Sequence, residues 1–572
     1  VRRVLTASDQ ALLVEEEDLE GAMRLHAALV AAPPTGVVEL VPAARTVLVR
    51  FDPTLVDEVT LAKELSRVEA VHGGLPTAGS VTIGVRYDGQ DLDEVADLLG
   101  VSTEEVVARH TAATWRVAFT GYAPGFGYLV GDDPLFDVPR RSSPRTRIPA
   151  GSVGLAGTFS GVYPRESPGG WQLIGRTDAP MWDLHRDPPA LLAPGMTVRF
   201  ERLERESVIS TSSIQRSVAD TEDDRVGLDT GSLALAGLDQ RTAGRAAGAA
   251  WRRRVETNTF PCAVEVVRPG LQLVLEDLGR SGHAALGVSA SGTADRRALR
   301  AANRAVGNDP GTAGFELAGG GAVLRFTGPA VVAVAGAPAA ATIVRSGGPP
   351  LPVEHGAATA LEDGEELHFG WISEGLRAVI AVRGGLDLEP ALGSLSSDTL
   401  AGLGPGDLGG RPLRAGDVVP LHGPAAAPYA VDPCPAPADP LPAPGDTVDL
   451  RIVLGPRDDW FTQAGVRTLV EQEWTVTPRS DRVGVRLEGA VPLERAVSGE
   501  LPSEGAVTGA IQVPPDGQPV LFLPDHPLTG GYPIIGAVVD RDLDLAGQLP
   551  PGVRIRFRPV APAAPAAEIR GD

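Results

Sequence analysis

Lysine is almost missing from this chain of 572 residues: Lys63 is the only one, although Lys and Arg together number 51. That one absence removes several mechanisms at once. A Walker A loop needs a GK[ST] lysine, a protein kinase needs its strand lysine, and a Ser-Ser-Lys amidase needs a basic lysine. Lys63 sits in VTLAKELSRVEA and fits none of them. A biotin carrier is modified on lysine, so no covalently bound biotin is expected. Cysteine is nearly as scarce. Cys262 and Cys434 lie far apart with no CxxC spacing, which excludes a disulfide framework or a thiolate zinc site and points to a reducing cytoplasm. Positive charge is in deficit too. A formal charge of -22 and a pI near 4.9 leave no basic face for nucleic acid, which requires displacement of counterions.

Long apolar runs are also lacking. The start, VRRVLTASDQALLVEEEDLE, has no apolar signal core. The most apolar stretch, between Arg325 and Arg345, is broken by Pro329 and Pro338 and reads as two buried strands, not a membrane span. No GxSxG elbow is present, and the nine histidines show neither HxxxH nor HExxH spacing. A serine hydrolase and a local histidine metal site are thereby disfavoured. Metal ligands stay unassigned, because Mg²⁺ arriving with a nucleotide takes few protein ligands.

What the chain does have is glycine and proline, 69 and 51 of them. So many breakers imply short strands joined by turns. The predicted class is α+β, mostly β. Residues 1–78 read as strand, helix, two-stranded hairpin (GVVELVPAARTVLVRFDP) and second helix, a ferredoxin-like order in which LTASDQALLVEEE is a single strand. Residues 79–205 begin with VTIGVRYD, continue through a capping box from Ser102 to Glu105, and close near MTVRFERL. Residues 206–262 turn polar and Ala/Gly-rich, a linker with one helix expected around Ala243 to Arg254. Strand alternation resumes over 263–427, and the helix RALRAANRAVGN is expected to end at Gly307 and Asn308. A Pro-rich connector at 428–446 separates this region from a last β region, 447–560, and the tail 561–572 is expected to be disordered.

The chemistry gathers first in Phe119 to Thr177, where Arg140, Arg141, Arg145, Arg147, Arg165 and Arg176 sit among glycines, prolines and aromatics. Arginines on tight turns can fork onto a carboxylate or phosphate. His110, just before this stretch, could act as a general base or cap its own helix. In the second half Asp277, Arg280, Asn303, Arg479, Asp481, Arg482, Gln512 and Tyr532 lie in dense polar motifs, and any of them could instead stitch loops together. The turn at Gly530 and Gly531 could present N–H groups to an anion.

These segments also carry a resemblance. PGFGYL (124–129), PRRSSPRTRIPAGSV (139–153) and SPGGWQLIGRT (167–177) resemble the B component of 5-oxoprolinase, a family also called allophanate hydrolase subunit 1 or Kip kinase inhibitor. EDLGRSGHAALGVSASGTADRRALRAANRAVGN (276–308), RGGLD at 383, GPRDDWF at 455, DRVGVRLEG at 481 and GAIQVPPDGQPVLFLPDHPLTGGYP (509–533) resemble the C component, the biotin-dependent carboxyltransferase or allophanate hydrolase subunit 2 family. The resemblance implies a B–C fusion built of cyclophilin-like β-barrels. It implies an ATP-dependent component that, with a separate A component, activates the lactam of 5-oxoproline by phosphorylation for ring opening to glutamate. ATP with Mg²⁺ would be the cosubstrate. His110, Asp277 and Asp481 would be the catalytic candidates, with Asp277 or Asp481 on Mg²⁺. Arg140, Arg145, Arg147, Arg176, Arg280, Asn303, Arg479, Arg482, Gln512, Gly530, Gly531 and Tyr532 would bind substrate or phosphate. The alternatives are a carboxyltransferase acting in a urea or amide pathway and a non-catalytic kinase inhibitor. Three positions depart from the pattern of the C component: Glu276 in place of Gln, Leu395 in place of Arg, and Leu528 in place of a threonine. The expected partners are a protein like the A component of 5-oxoprolinase and a small lactam or amide, without nucleic acid or membrane, and self-association into a homo-oligomer is left open. The expected site lies where the two halves meet.

Overall fold

A computed structural model describes residues 2–69, 79–141, 143, 145–203, 261–345, 347–432, 439–499 and 501–560. The linker at 206–262 up to residue 260 with its expected helix, the middle of the Pro-rich connector and the expected disordered tail lie outside the described residues. The molecule is mostly β with a few short helices.

The first sheet is formed by β1 (Arg3–Ser8), β2 (Ala11–Glu15), β3 (Val37–Pro42) and β4 (Thr46–Phe51), all antiparallel in the order β1-β2-β4-β3. LTASDQALLVEEE is therefore a hairpin and not the single strand expected, because Asp9 and Gln10 supply a turn between two apolar runs. Side chains alternate across the pleat. Leu12 and Val14 pack with Leu25 and Leu29 of α1 (Leu19–Ala31) and with Leu61 and Leu65 of α2 (Glu58–Arg67). Ala11 and Leu13 on the other face join Phe522, Leu528 and Ile534 of the distant C-terminal region in one core cluster. Both faces of ALLV are thus buried, which explains a continuous apolar run where a two-layer sandwich would show alternation.

The next unit holds β5 (Ser80–Val85), α3 (Leu92–Leu99), α4 (Thr103–Ala112), β6 (Trp115–Thr120), β7 (Gly127–Gly131), β8 (Arg145–Ile148), β9 (Ser152–Ala156), β10 (Phe159–Val162), β11 (Ser167–Gly169), β12 (Gln172–Arg176) and β13 (Thr197–Arg202). Its main sheet runs β12-β9-β10-β7-β6-β13-β5. Arg86, just past β5, exchanges backbone bonds of 2.8 and 2.9 Å with Arg176, so the two edges meet and the sheet curls on itself. Ser102 caps α4 by accepting from the Glu105 N–H at 3.2 Å, as the capping box predicts.

In the second half a six-stranded and a five-stranded sheet share one apolar core. Helix α5 (Arg296–Val306) lies against the strands Ala330–Gly336 and Arg377–Val382. It ends at Gly307 in the left-handed conformation, φ 76°. The apolar stretch between Arg325 and Arg345 forms the strands Ala330–Gly336 and Ala341–Val344. The last region is a closed seven-stranded barrel whose first strand, Thr447–Leu454, pairs in parallel with its last, Arg554–Pro559. Helix α6 (Gln463–Glu471) packs against that last strand, and α7 (Leu543–Ala546) is a single turn. Among the described residues no helix is long and apolar enough to cross a membrane.

Candidate functional site at the junction of the two halves

The halves meet through the apolar cluster that joins the first sheet to the C-terminal region and, beside it, through backbone and short polar side chains. Thr120 donates its hydroxyl to the Ala285 carbonyl at 2.7 Å, the Tyr122 N–H donates to Thr529 Oγ1 at 3.0 Å, and the Gly125 N–H donates to the Leu286 carbonyl at 3.0 Å. The Ala44 N–H reaches the Ser503 carbonyl at 3.0 Å, tying the first sheet to the same place. Close approach needs glycine here. A Cβ on Gly121 would stand 2.6 Å from Thr529 Oγ1, and one on Gly287 would stand 2.6 Å from the Ala123 carbonyl. The PGFGYL turn is therefore a docking element. Tyr122 takes a left-handed φ of 63°, unusual for a bulky residue, and its hydroxyl is fixed on the Pro168 carbonyl.

Behind Tyr122 is an aromatic floor. Phe126 lies 5.3 Å from Tyr122, 5.4 Å from Tyr163 and 5.2 Å from Trp171 between ring centroids, in edge-to-face arrangements. Two arginines border this floor. Arg140 lies against Gly531, where an added Cβ would come within 2.8 Å of its guanidinium. Arg165 lies against Gly402 and donates to the Leu400 carbonyl. Burial raises the Tyr122 hydroxyl pKa, while Arg165 and Arg140 both act to lower it. On the other side, Gln512 lies beside Gly530 and donates to the Tyr532 carbonyl at 3.4 Å. Glu504–Gly505 pairs with Thr529–Gly530 as a short antiparallel ladder holding that turn. Arg140, Gln512, Gly530, Gly531 and Tyr532 thus converge at the junction, and guanidinium groups beside a glycine turn can receive a small carboxylate or phosphate.

The other candidates sit elsewhere. Arg145 forks onto Asp91 at 2.9 and 2.6 Å, with Arg141 on the same carboxylate at 2.8 Å, so it ties β8 to the loop before α3. Arg147 pairs with Glu166 at 2.6 Å and Arg176 with Asp88 at 2.7 Å, both on the outer surface. His110 is fully buried. Its Nδ1 meets the Tyr87 hydroxyl at 2.8 Å, its Nε2 meets the Ser160 hydroxyl at 3.1 Å, and its ring stacks on Phe200. Desolvation drops its pKa to about 3. With both nitrogens engaged and no exposed atom, His110 is a core residue and not a general base.

Asp277 accepts from the Ser394 and Ser396 hydroxyls and from the Leu395 and Gly279 N–H groups at 2.6 to 2.7 Å, so both its oxygens are engaged in holding loops together. Asp481 is exposed and caps a turn through the Val483 and Gly484 N–H groups. The described residues hold no group of three or more His, Cys, Asp or Glu that could bind a metal. Asn303 is occupied by the Thr312 carbonyl and the Asn308 amide. Arg280 is buried against the Ala391 and Ser396 carbonyls, and Arg479 is exposed.

Arg482 is the largest departure from expectation. It is fully buried and bonds Glu316 at 2.5 Å, Asp525 at 3.1 Å and the Gly292 carbonyl at 2.6 Å, with Glu276 at 3.2 Å. Buried Arg377 stands 3.3 Å from Glu316. Burial raises the Glu276 carboxyl well above the usual range, against the opposing pull of Arg482. Arg482 and Arg377 thus face Glu316, Asp525 and Glu276 in one interior cluster. Arg482 therefore clamps the last barrel to the sheets before it and does not reach a ligand.

Tyr122, Tyr163 and Trp171 escape the sequence reading, which sees Arg165 only as one of a cluster. Their signal is density: eight of the chain's 26 Phe, Tyr and Trp residues fall between Phe119 and Trp171.

Comparison with known proteins agrees with this two-part arrangement. Residues 2–192 match the model for carboxyltransferase domain, subdomain C and D, and residues 286–559 match subdomain A and B. The chain belongs to this carboxyltransferase-domain family. The solved structure of TTHA0988 is 33% identical, superposes with a TM-score of 0.74, and is matched over 96% of this chain and 99% of its own. The C component of 5-oxoprolinase from Escherichia coli (strain K12) is 31% identical over 294 residues, 51% of this chain and 90% of that protein. The B component of 5-oxoprolinase from Bacillus subtilis (strain 168) is 46% identical over 129 residues, and the chain spans about half of it, 54%. Urea amidolyase of Lachancea kluyveri is 32% identical over 325 residues, only 17% of that protein.

Proposed function

We propose that this chain is the fused B and C component of an ATP-dependent 5-oxoprolinase, opening the lactam of 5-oxo-L-proline to L-glutamate with a separate protein like the A component. The observation that carries the reading is the convergence of Arg140 and the Gly530–Gly531 turn over one aromatic floor. It joins the half similar to a B component with the half similar to a C component. An unactivated lactam resists water because nitrogen donates into the carbonyl. Phosphorylating the lactam oxygen makes a better electrophile, and preorganised guanidinium groups stabilise the transferring phosphoryl group or hold the substrate carboxylate. The aromatic floor would exclude water from that step. ATP enters as a cosubstrate, and no step is assigned to Mg²⁺.

In this reading the chain is cytoplasmic and carries no biotin. Lys63 is exposed on α2, outside any carrier motif. The first unit is read as a ferredoxin-like sandwich whose outer strand comes from the front of the chain, and the curled sheet and closed barrel as cyclophilin-like. The proposed domains are 1–78, 79–205, 263–427 and 447–560. Limited proteolysis should cut first within 206–262, and a first cut inside 120–177 would contradict that division.

The test is ADP release on addition of 5-oxoproline, measured with and without the protein like the A component. Substrate-dependent ADP release is expected. A second reading, carboxyl transfer in a urea or amide pathway, draws support from the urea amidolyase similarity. It would be favoured by carboxyl transfer from carboxybiotin with no ADP release. A kinase-inhibitor reading leaves the whole second half without a role.

A further inference from the structure

A cavity of about 170 Å³ lies where the first sheet, the loop before α5 and the last barrel meet. It is lined from three directions: by Asp9, Glu39 and Arg50 of the first sheet, by Ser289, Ala290 and Ser291 of the loop before α5, and by Thr508, His526 and Asp540 of the last barrel. Its two arginines, Arg50 and Arg296, also line it, and the serines of the loop before α5 point their protons elsewhere. Ser289 donates its proton away to Asp398 at 2.8 Å, and Ser291 donates to Asp525 at 2.7 Å. What these hydroxyls can offer a guest is lone pairs.

His526 is only 6% exposed. Its Nδ1 lies 2.9 Å from the Pro527 carbonyl, which can only accept, so Nδ1 carries the proton. Nε2 is then a bare acceptor with no hydrogen-bond partner among the described residues, on a side chain that lines the cavity. Burial keeps the ring neutral, its pKa lowered to about 4. The charges are also uneven. Arg50 pairs with Glu39 at 2.7 Å and Arg296 with Asp540 at 2.7 Å. Asp9 accepts from the Asp540 N–H at 3.1 and 3.2 Å and has no ion-pair partner among the described residues. Burial, followed by repulsion from Asp540, raises its carboxyl pKa.

We infer that this cavity is a binding site for a small protonated amine, whose ammonium N–H groups meet the acceptors of Asp9, His526 and the Ser289–Ser291 loop. Arg50 and Arg296 are each already held by a carboxylate, so an ammonium supplies the charge that Asp9 has no partner for and the donor that His526 Nε2 lacks, whereas an anion would face Asp9 and that lone pair. Amine binding here is independent of the chemistry at the arginine junction.

The test is saturation-transfer NMR on the full chain at neutral pH, with methylammonium as probe and acetate as the opposite-charge control. Saturable binding of methylammonium and none of acetate is expected. Asp9→Asn should weaken methylammonium about tenfold or more, roughly the scale of one charged hydrogen bond. Ala290→Leu should abolish binding by filling the cavity while leaving every polar group in place. Both variants are first compared with the parent by thermal unfolding without probe. Absence of methylammonium binding, equal binding of acetate, or undiminished binding by a folded Ala290→Leu chain would overturn the site.

Discussion

Arg482 and Arg140 belong to similar-looking turn segments, DRVG and PRRS, yet they lie in opposite surroundings. Arg482 has no exposed surface and three carboxylates around it. Arg140 is partly exposed and rests on a glycine backbone beside tyrosines. A guanidinium already encircled by anions has no capacity for another. The density of arginine in a motif therefore says less about ligand binding than the location of its acids.

The comparison breaks most visibly at the clamp. Arg482→Met should cost about 3–5 kcal/mol, the scale for stranding buried charges. Denaturant unfolding reads this directly, and an unchanged midpoint would mean the clamp is not structural. Arg140→Ala should instead leave the midpoint nearly unmoved and lower 5-oxoproline-dependent ADP release about 10²-fold, as for one preorganised charge at a transition state. Arg140→Lys should recover little, since it keeps the charge but loses the planar fork. Full turnover by Arg140→Ala would move the anion site away from the junction.

A smaller effect concerns pH. The folded pKa of His110 is near 3, below its ordinary 6.5. The unfolded chain therefore binds the extra proton first, so this residue's contribution to stability is present above pH 6.5 and is lost as pH falls toward 3. Asp398 works in the other direction. Its pKa is raised to about 7, so its contribution is lost as pH rises from about 4 to 7. Subtracting the profile of His110→Phe from that of the parent isolates the histidine, and the difference should slope by about 1.4 kcal/mol per pH unit between 6 and 4. A flat difference would mean His110 titrates normally and is open to solvent. The smallest effect is expected from Arg147→Ala, whose partner Glu166 is itself half exposed. Stability and turnover should both stay within about 0.5 kcal/mol of the parent.

The sequence was most legible where local chemistry decides the outcome. The capping box at Ser102, the left-handed stop at Gly307 and the hairpin of β3 and β4 follow from a few neighbouring residues. ALLV was harder. Its burial on both faces depends on Phe522, Leu528 and Ile534, which lie more than 500 residues away and cannot be inferred from periodicity. At the junction, Arg140, Gln512, Gly530, Gly531 and Tyr532 were readable as polar residues among turns. Arg145 and Arg482 were equally readable and went elsewhere, because Asp91, Glu316 and Asp525 are brought to them only by the tertiary fold. His526 left no local signal at all: its vacant nitrogen is a property of the backbone carbonyl that holds the other one.

The bonds from Thr120 to Ala285 and from Tyr122 to Thr529 join two halves of a single polypeptide. Their encounter is therefore unimolecular, at an effective concentration on the order of millimolar set by the connecting segment, however dilute the protein becomes. The shared apolar cluster, the hydrogen bonds and the glycine-to-backbone approaches between the halves can then stay closed without the tight affinity that separate proteins would need. The stoichiometry of the two halves is also locked at one to one, so neither can accumulate without its counterpart.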